Sequence, residues 1–254
     1  MRFLYLLPFT YFMQTRLRGG SVSFHLVFEW LAALLLAVTI GAASPAESLL
    51  LALGSYLAFI SLYEIGYLVN DLFAAKKEAG GRKRGPQGAS GLWIGCWFGS
   101  RLLVFLTITI LMGRFLSPAW WSFFLALALV FGLHNALQDR EMKAVTFQWL
   151  GWFRFMAPVM FVIAEDQIPG VGLAAAVAYV AFRMFGYMDS KRLLNMPGRQ
   201  RPEFRLFFFL MPLVGVLALW PYEAAKGFII LSSYFAIAAA AGTLPSLIAR
   251  RRHA

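Results

Sequence analysis

The chain has 254 residues, of which 60% are hydrophobic and 14% charged, and its formal net charge at pH 7 is +11. A soluble domain must cover its surface with more polar groups than this, so the composition excludes a soluble globular protein and indicates an integral membrane protein. The positive charge does not indicate nucleic-acid binding, because the cations flank apolar runs and form no separate basic domain.

Apolar runs of about 20 residues, the length that crosses a bilayer as a helix, follow one another along the chain. Ahead of them, residues 1–20 combine aromatic side chains with Arg16 and Arg18, which predicts an interfacial segment on the cytoplasmic leaflet. We predict eight membrane-spanning helices, the seventh of them short, near residues 22–43, 47–69, 91–112, 117–137, 144–164, 168–188, 206–221 and 225–248. We therefore expect a single all-α domain over residues 1–254, a polytopic transmembrane helix bundle.

The distribution of charge predicts the orientation of this bundle. Of the 23 Lys and Arg residues, 18 lie before the first span, after the last span, or in the loops after spans two, four and six. The positive-inside rule places these loops and both termini in the cytoplasm. The loops of the opposite face carry the acidic residues Glu47, Glu165, Asp166 and Glu223. We predict a multi-pass protein of the inner (cytoplasmic) membrane.

Three arginines fall within predicted spans, where an unpaired charge is costly. Arg101, Arg154 and Arg183 should therefore line a polar cavity or form structural ion pairs with Glu29 and Glu64.

Two polar loops on the predicted cytoplasmic side begin with a carboxylate and continue into cations. The first starts at Asn70-Asp71 after the second span, and the second starts at Asp189 after the sixth span. On a continuous helix Glu64, Asp71 and Glu78 would share one face, because they are seven residues apart. By the same reasoning, Lys143 and Arg154 would lie on one face of the fifth span. Such carboxylates and cations at a membrane surface suit a magnesium pyrophosphate.

The run Asn70-Asp71-x-x-Ala74-x-x-x-Glu78, which leads on to Arg82, Arg84 and Pro86, resembles the first aspartate-rich signature of the UbiA-type membrane prenyltransferases. Asp189 stands about where that family places its second aspartate motif. Ala74 and Leu193 stand where the family has further aspartates, so each motif keeps its leading carboxylate and loses its partner.

The resemblance implies a UbiA-like fold and transfer of an isoprenyl group from a prenyl diphosphate donor to a hydrophobic acceptor at the cytoplasmic side. Asp71 and Asp189 would be the catalytic carboxylates, and together with Glu78 they would hold magnesium, for which a single ion is easier to build than two. Asn70 would assist by hydrogen bonding. The cations from which the diphosphate contacts would come are Arg82, Arg84, Arg140, Lys143, Lys191 and Arg192.

Three other functions fit parts of the sequence. The incomplete motifs fit a non-catalytic protein that binds a polyprenyl lipid, or assembles with another membrane protein or a second copy. Gly88-Ala89-Ser90-Gly91 matches the Gly-x-Ser-Gly of intramembrane serine proteases, with His134 or His253 as the base, although small residues at a loop-to-helix junction also explain it. A transporter is less favoured, because broken helices in matching halves are not evident.

Overall fold

The chain is helical throughout the part that the structure describes. The computed structural model describes residues 2–17, 22–74, 85–86 and 88–251. Within these ranges the β contacts amount to one isolated antiparallel bridge, between Gly41 and Ile163. The predicted all-α fold class is therefore confirmed for the described residues.

The N-terminal segment forms short helical turns before the first long helix. The turns are Arg2–Leu6, Thr10–Phe12 and Met13–Leu17. The longer helices of the described chain are α1 (Val22–Ile40), α2 (Pro45–Ala74), α3 (Gly91–Leu111), α4 (Pro118–Ala136), α5 (Arg140–Met156), α6 (Glu165–Ser190), α7 (Pro202–Leu219) and α8 (Lys226–Arg251).

Seven helices of the described chain are long and apolar enough to cross a membrane, namely α1 to α4, α6, α7 and the stretch Glu223–Thr243, which includes most of α8. They correspond to seven of the eight predicted spans. The fifth span, predicted at 144–164, is helical only as α5, which ends at Met156 after 17 residues. The structure therefore supports a multi-pass membrane protein, whereas the count of eight is not confirmed and the orientation stays a prediction.

Several helices begin where a polar side chain caps their first turn, which satisfies an otherwise unpaired backbone amide. The capping residues of α3, α4 and α5 are Ser90, Ser117 and Asp139. Ser90 Oγ accepts a hydrogen bond from the amide of Trp93 at 3.2 Å. This cap gives the Gly-Ala-Ser-Gly run a structural role at a helix start.

Contacts between residues divide the chain into two compact units. The first consists of Met1–Val22 and Leu50–Phe161, and the second of Ser23–Leu49 and Val162–Ala254. In the first unit α4 packs against α5, and α3 packs against the turn Arg2–Leu6. In the second unit α8 packs against α1, α6 and α7. The prediction of a single domain stays a prediction.

Within the described chain, four segments have the wider π-helical turn: Met13–Leu17, Leu26–Leu31, Asn70–Ala74 and Ala175–Val180. A π turn shifts the side chains after it out of the α-helical register and is common at functional sites. In the first unit, two of these segments contribute Arg16 and Asp71 to a buried cluster of polar side chains. In the second unit, the other two contribute Glu29 and Tyr179 to a cluster of its own.

Candidate functional site

Asp71 lies in the π-helical turn that ends α2, and its residue is only 2% exposed. Its Oδ2 accepts a hydrogen bond from the hydroxyl of Tyr11, and its Oδ1 accepts one from Arg16 Nη2, both at 2.8 Å. Asn70 Nδ2 donates to the same Oδ1 at 3.3 Å. A buried carboxylate needs such partners, because its charge has lost its hydration. Asp71 is thus neutralised by side chains of the N-terminal segment.

Arg16 and a second guanidinium converge on one tyrosine. The guanidinium carbon of Arg16 lies 4.3 Å from the ring centroid of Tyr67, a favourable cation–π distance. Arg154 Nη1 donates to the hydroxyl of the same tyrosine at 3.1 Å, and its guanidinium carbon lies 4.5 Å from the ring centroid of Phe12. The region beside Asp71 is therefore rich in positive charge and aromatic surface.

A buried ion pair anchors the N-terminal segment inside the first unit. Arg101 Nε donates to Glu64 Oε2 at 2.7 Å, and both side chains are fully buried. Glu64 Oε1 accepts from the amide of Phe12 at 2.8 Å. Arg101 also donates to the carbonyl oxygens of Tyr5, Leu6 and Leu7 at 2.6 to 2.8 Å. The predicted pairing of a deep arginine with Glu64 is confirmed.

The anchored segment is not simply a surface element. Tyr11 and Phe12 are fully buried, and Leu17 is nearly so. Since Phe12 contacts Glu64 and Tyr11 contacts Asp71, these two carboxylates face the same neighbouring segment. Glu78, the third residue of the predicted acidic face, lies outside the described residues. The predicted contact of residues 1–20 with the cytoplasmic leaflet stays a prediction.

The pKa values of the two side chains bonded to Asp71 favour this arrangement. Burial raises the pKa of Tyr11 well above its ordinary value, and the negative charge of Asp71 raises it further. Burial alone would lower the pKa of Arg16, but its hydrogen bond to Asp71 and the neighbouring tyrosines and carboxylate give a net increase. Tyr11 therefore stays a neutral donor and Arg16 stays a cation at physiological pH.

The predicted cationic face of α5 is present. Lys143, Leu150 and Arg154 are all buried on this helix, whereas Arg140, in its first turn, is exposed. At the junction with α4, His134 Nδ1 lies 2.8 Å from Thr146 Oγ1. This contact gives His134 a structural partner within the first unit.

Asp189 lies near the end of α6 in the second unit, and its side chain is 30% exposed. Arg199 Nη2 donates to its Oδ2 at 2.7 Å. The helix ends in a Schellman motif, in which the amide of Leu193 donates to the carbonyl of Met188 and the amide of Arg192 to that of Asp189. Arg192 takes the left-handed position of this motif, with φ 60°.

The second unit contains its own buried carboxylate cluster. Glu29, in the π-helical turn of α1, accepts from the hydroxyl of Tyr179 at 2.8 Å and lies 2.9 Å from His25 Nδ1. Arg183 Nη1 donates to the same tyrosine hydroxyl at 2.6 Å and stands 4.0 Å from Glu29. The predicted proximity of Arg183 and Glu29 is confirmed, with a tyrosine between them that the sequence did not indicate.

The predicted site residues divide between the two units and the part of the chain outside the description. Asn70, Asp71, Arg140 and Lys143 belong to the first unit, and Asp189, Lys191 and Arg192 to the second. Glu78, Arg82 and Arg84 lie outside the described residues. Among residues that are described, no group of three or more His, Cys, Asp or Glu side chains could hold a metal ion.

Sequence reasoning missed the residues that neutralise the two aspartates. Tyr11 and Arg16 come from a segment with no motif, and Arg199 lies ten residues beyond Asp189. The signal that was available for Arg16 was a cation following an aromatic run, which also fits a membrane-surface segment.

Asp71 fits magnesium best once Arg16 leaves, because the guanidinium and the metal ion are cations that compete for one carboxylate. An ionised carboxylate offers about four lone-pair positions, of which Tyr11, Arg16 and Asn70 use three. Magnesium binds through one or two carboxylates together with water and phosphate oxygens. The donor set therefore fits an oxygen-liganded ion, provided that Arg16 gives up Asp71.

Comparison with protein-family models, with curated proteins and with solved structures returns no match.

Proposed function

We propose that this chain is a divergent UbiA-type prenyltransferase of the inner membrane, which transfers an isoprenyl group from a prenyl diphosphate to a hydrophobic acceptor at the cytoplasmic side. The observation that carries the proposal is the surroundings of Asp71. A buried carboxylate at the end of a membrane-spanning helix is paired with Arg16, whose guanidinium lies over the ring of Tyr67. The hydroxyl of Tyr67 in turn accepts a hydrogen bond from a second guanidinium, that of Arg154. Intramembrane ionisable groups of this kind commonly mark functional sites.

The proposed chemistry rests on an exchange of partners at Arg16. Without substrate, Arg16 neutralises Asp71. With a prenyl diphosphate bound, Arg16 turns to the phosphate oxygens, which match the fork of a guanidinium, and Asp71 becomes available as an oxygen ligand. Magnesium would then supply charge stabilisation for the departing diphosphate. In the first unit, Arg154 and Lys143 are the further cations that we expect to bind the phosphate oxygens.

The remaining residues of the two motifs keep the roles that the resemblance implies. Asp189 would be the second catalytic carboxylate, and Glu78 the third magnesium ligand. Further diphosphate contacts would come from Arg82, Arg84, Arg140, Lys191 and Arg192. The hydrophobic acceptor is left open.

Binding of a non-hydrolysable prenyl diphosphate analogue tests the proposal, with the detergent-solubilised protein titrated in the presence and absence of magnesium. We expect binding that depends on magnesium and is lost in an Asp71→Ala, Asp189→Ala variant. With a hydrolysable donor and candidate acceptors, pyrophosphate should be released by the wild type and not by this variant.

Tyr11→Phe is the matched control, because it removes a partner of Asp71 and leaves the carboxylate in place. It should keep magnesium-dependent binding. Full pyrophosphate release by the double alanine variant, in a preparation that remains folded, would contradict the assignment.

A non-catalytic lipid-binding or assembly protein is the second candidate. It is favoured by the arginine pairing of both motif carboxylates, Asp71 with Arg16 and Asp189 with Arg199. In that case a prenyl phosphate would bind through arginines directly. Binding would then be indifferent to magnesium and to the alanine substitutions, and no pyrophosphate would be released.

A further inference from the structure

A cleft of about 460 Å³ lies between α6 and α7 in the second unit, a size typical of small-molecule sites. One wall of the cleft is formed by α7. Its lining residues Phe204, Phe207, Phe208 and Met211 share one helical face, because they lie three, four and seven residues after Phe204. The lining residues are Val177, Phe185, Met196, Phe204, Phe207, Phe208, Met211 and Pro212. Phe207 is 62% exposed, so the cleft opens to the surroundings of the protein.

The cleft is lined with apolar residues of two helices that are long and apolar enough to cross a membrane. A cleft on such helices faces hydrocarbon chains of the bilayer. An open groove with aromatic walls in that setting accommodates a linear hydrocarbon chain, because burying apolar surface against a packed wall gains dispersion contacts.

The loop between these helices supplies a complementary charge at one end of the cleft. Together with the adjoining ends of α6 and α7, this loop carries five cations against the two carboxylates of Asp189 and Glu203, namely Lys191, Arg192, Arg199, Arg201 and Arg205. Arg199 is tied to Asp189. Arg201 and Arg205 are exposed and flank Phe204, which lines the cleft.

Loop and cleft form one continuous surface. Met196 belongs to the loop and lines the cleft, and Arg201 directly precedes the first residue of α7. A hydrocarbon chain in the cleft therefore ends beside exposed guanidinium groups. Clusters of four to eight Lys and Arg beside a membrane-spanning helix attract anionic lipid headgroups, at about 1 kcal/mol for each cation near the surface.

We infer that this cleft binds an anionic phospholipid of the bilayer, with an acyl chain between α6 and α7 and the phosphate held by Arg201 and Arg205. Neither arginine belongs to the residues proposed to contact the prenyl diphosphate. The site stands on its own lining and charges and does not depend on the proposed transferase activity.

Native mass spectrometry or fluorescence titration of the full chain in detergent tests the inference, without magnesium or prenyl diphosphate. The probes are phosphatidylglycerol and phosphatidylcholine with identical acyl chains. We expect the anionic lipid to bind more tightly. An Arg201→Gln, Arg205→Gln variant should bind it about thirty-fold more weakly, from the contribution of two cations at the surface.

Lys226→Gln is the charge control, because the Lys226 side chain is also exposed but lies on the opposite predicted side, away from the loop between α6 and α7. It should leave phosphatidylglycerol affinity unchanged. Val177→Phe fills the cleft from a partly exposed position and should weaken lipid binding with every charge intact. Leu173→Phe, one turn away on α6 and outside the lining, should not.

Equal binding of the two lipids, or an unchanged affinity in the double glutamine variant, would overturn the inference. An equal loss in Lys226→Gln would show that the attraction is non-specific and would also overturn it. A soluble prenyl diphosphate could also displace the phospholipid from the wild type but not bind the double glutamine variant. In that case the cleft would bind the prenyl donor rather than a bilayer lipid.

Discussion

Asp71 and Asp189 follow apolar spans in the same way along the sequence, yet they lie in very different surroundings. Asp71 is almost completely buried and bonded to Tyr11 and Arg16, which come from a segment more than fifty residues earlier. Asp189 is 30% exposed and bonded to Arg199, only ten residues further along. The first aspartate is tied into the packing of its unit, whereas the second is held by its own loop.

The local backbone explains much of this difference. Asp71 lies in a π-helical turn, which departs from the register that an α-helix would give it. Asp189 lies in the last turn of α6, where the helix dipole disfavours a negative charge. Arg199 offsets that repulsion from outside the helix. A ligand that competes for Asp189 thus displaces one arginine, whereas at Asp71 it must displace an arginine and a fully buried tyrosine.

Removal of the anchor that holds the N-terminal segment over Asp71 should have the largest effect. Arg101→Met leaves Glu64 buried without its cation, and breaking one partner of a buried ion pair costs about 3–5 kcal/mol. Urea or thermal unfolding in detergent measures the loss. Proteolysis should also become faster within residues 4–17, because the carbonyl groups of Tyr5, Leu6 and Leu7 lose the guanidinium that donates to them.

The double variant Arg101→Met, Glu64→Leu is the control for that experiment. It removes both charges and should recover a large part of the stability, since a buried pair can be replaced by apolar residues at little cost. A double variant as unstable as Arg101→Met alone would show that the carbonyl contacts of Arg101, rather than the ion pair, hold the segment.

The aspartates themselves provide the direct comparison. Asp71→Asn removes the negative charge that Arg16 and Tyr11 require, and hydrogen bonds to charged groups contribute about 1.5–3 kcal/mol each. Asp189→Asn breaks a partly exposed pair, for which about 1 kcal/mol or less is expected. The free energy of unfolding should fall clearly further in Asp71→Asn. Equal losses in both variants would mean that burial does not distinguish the two sites.

The sequence predicted the helical fold, seven of the spans and, as one of two options, the pairing of a deep arginine with Glu64, because apolar length and the cost of intramembrane charge act locally. It did not predict that α5 ends at Met156. The buried, turn-rich stretch at 157–164 is as apolar as a membrane-spanning helix, so hydropathy does not mark the end of α5. Nor did it indicate Tyr11 and Arg16 as partners of Asp71. That contact depends on how the N-terminal segment folds back, which no periodicity encodes.

The hydrogen bond from the hydroxyl of Tyr11 to Asp71 gives a smaller effect that depends on pH. Tyr11→Phe should lower the unfolding free energy by about 1.5–3 kcal/mol at neutral pH, because Asp71 loses a donor. The pKa of Tyr11 is raised in the folded protein, so above about pH 10 the unfolded chain releases a proton that the folded chain keeps. The wild type therefore loses stability with rising pH through this group, and its advantage over Tyr11→Phe shrinks by about 1.4 kcal/mol per pH unit.

Unfolding of both proteins between neutral and alkaline pH measures that change. Tyr222→Phe, at an exposed tyrosine, is the control and should stay within about 0.5 kcal/mol of wild type at neutral pH. If the difference between wild type and Tyr11→Phe stayed constant across the range, the raised pKa of Tyr11 would be contradicted.

The smallest expected effect is at the exposed end of the comparison, in the turn that follows Asp189. Arg192 occupies a left-handed backbone conformation with φ 60°, which strains a residue that has a Cβ and suits glycine. Arg192→Gly should therefore stabilise the fold by up to about 1 kcal/mol. Relief of the left-handed strain is the gain, and the greater freedom of glycine in the unfolded chain offsets part of it.

Arg192→Ala is the matched control, because it removes the same charge and keeps the strain. If the two variants were equally stable, the charge of Arg192 rather than its backbone would set the stability of this turn. A stabilised Arg192→Gly beside an unchanged Arg192→Ala would instead identify a strained turn that keeps Asp189 and Arg199 together at the end of α6.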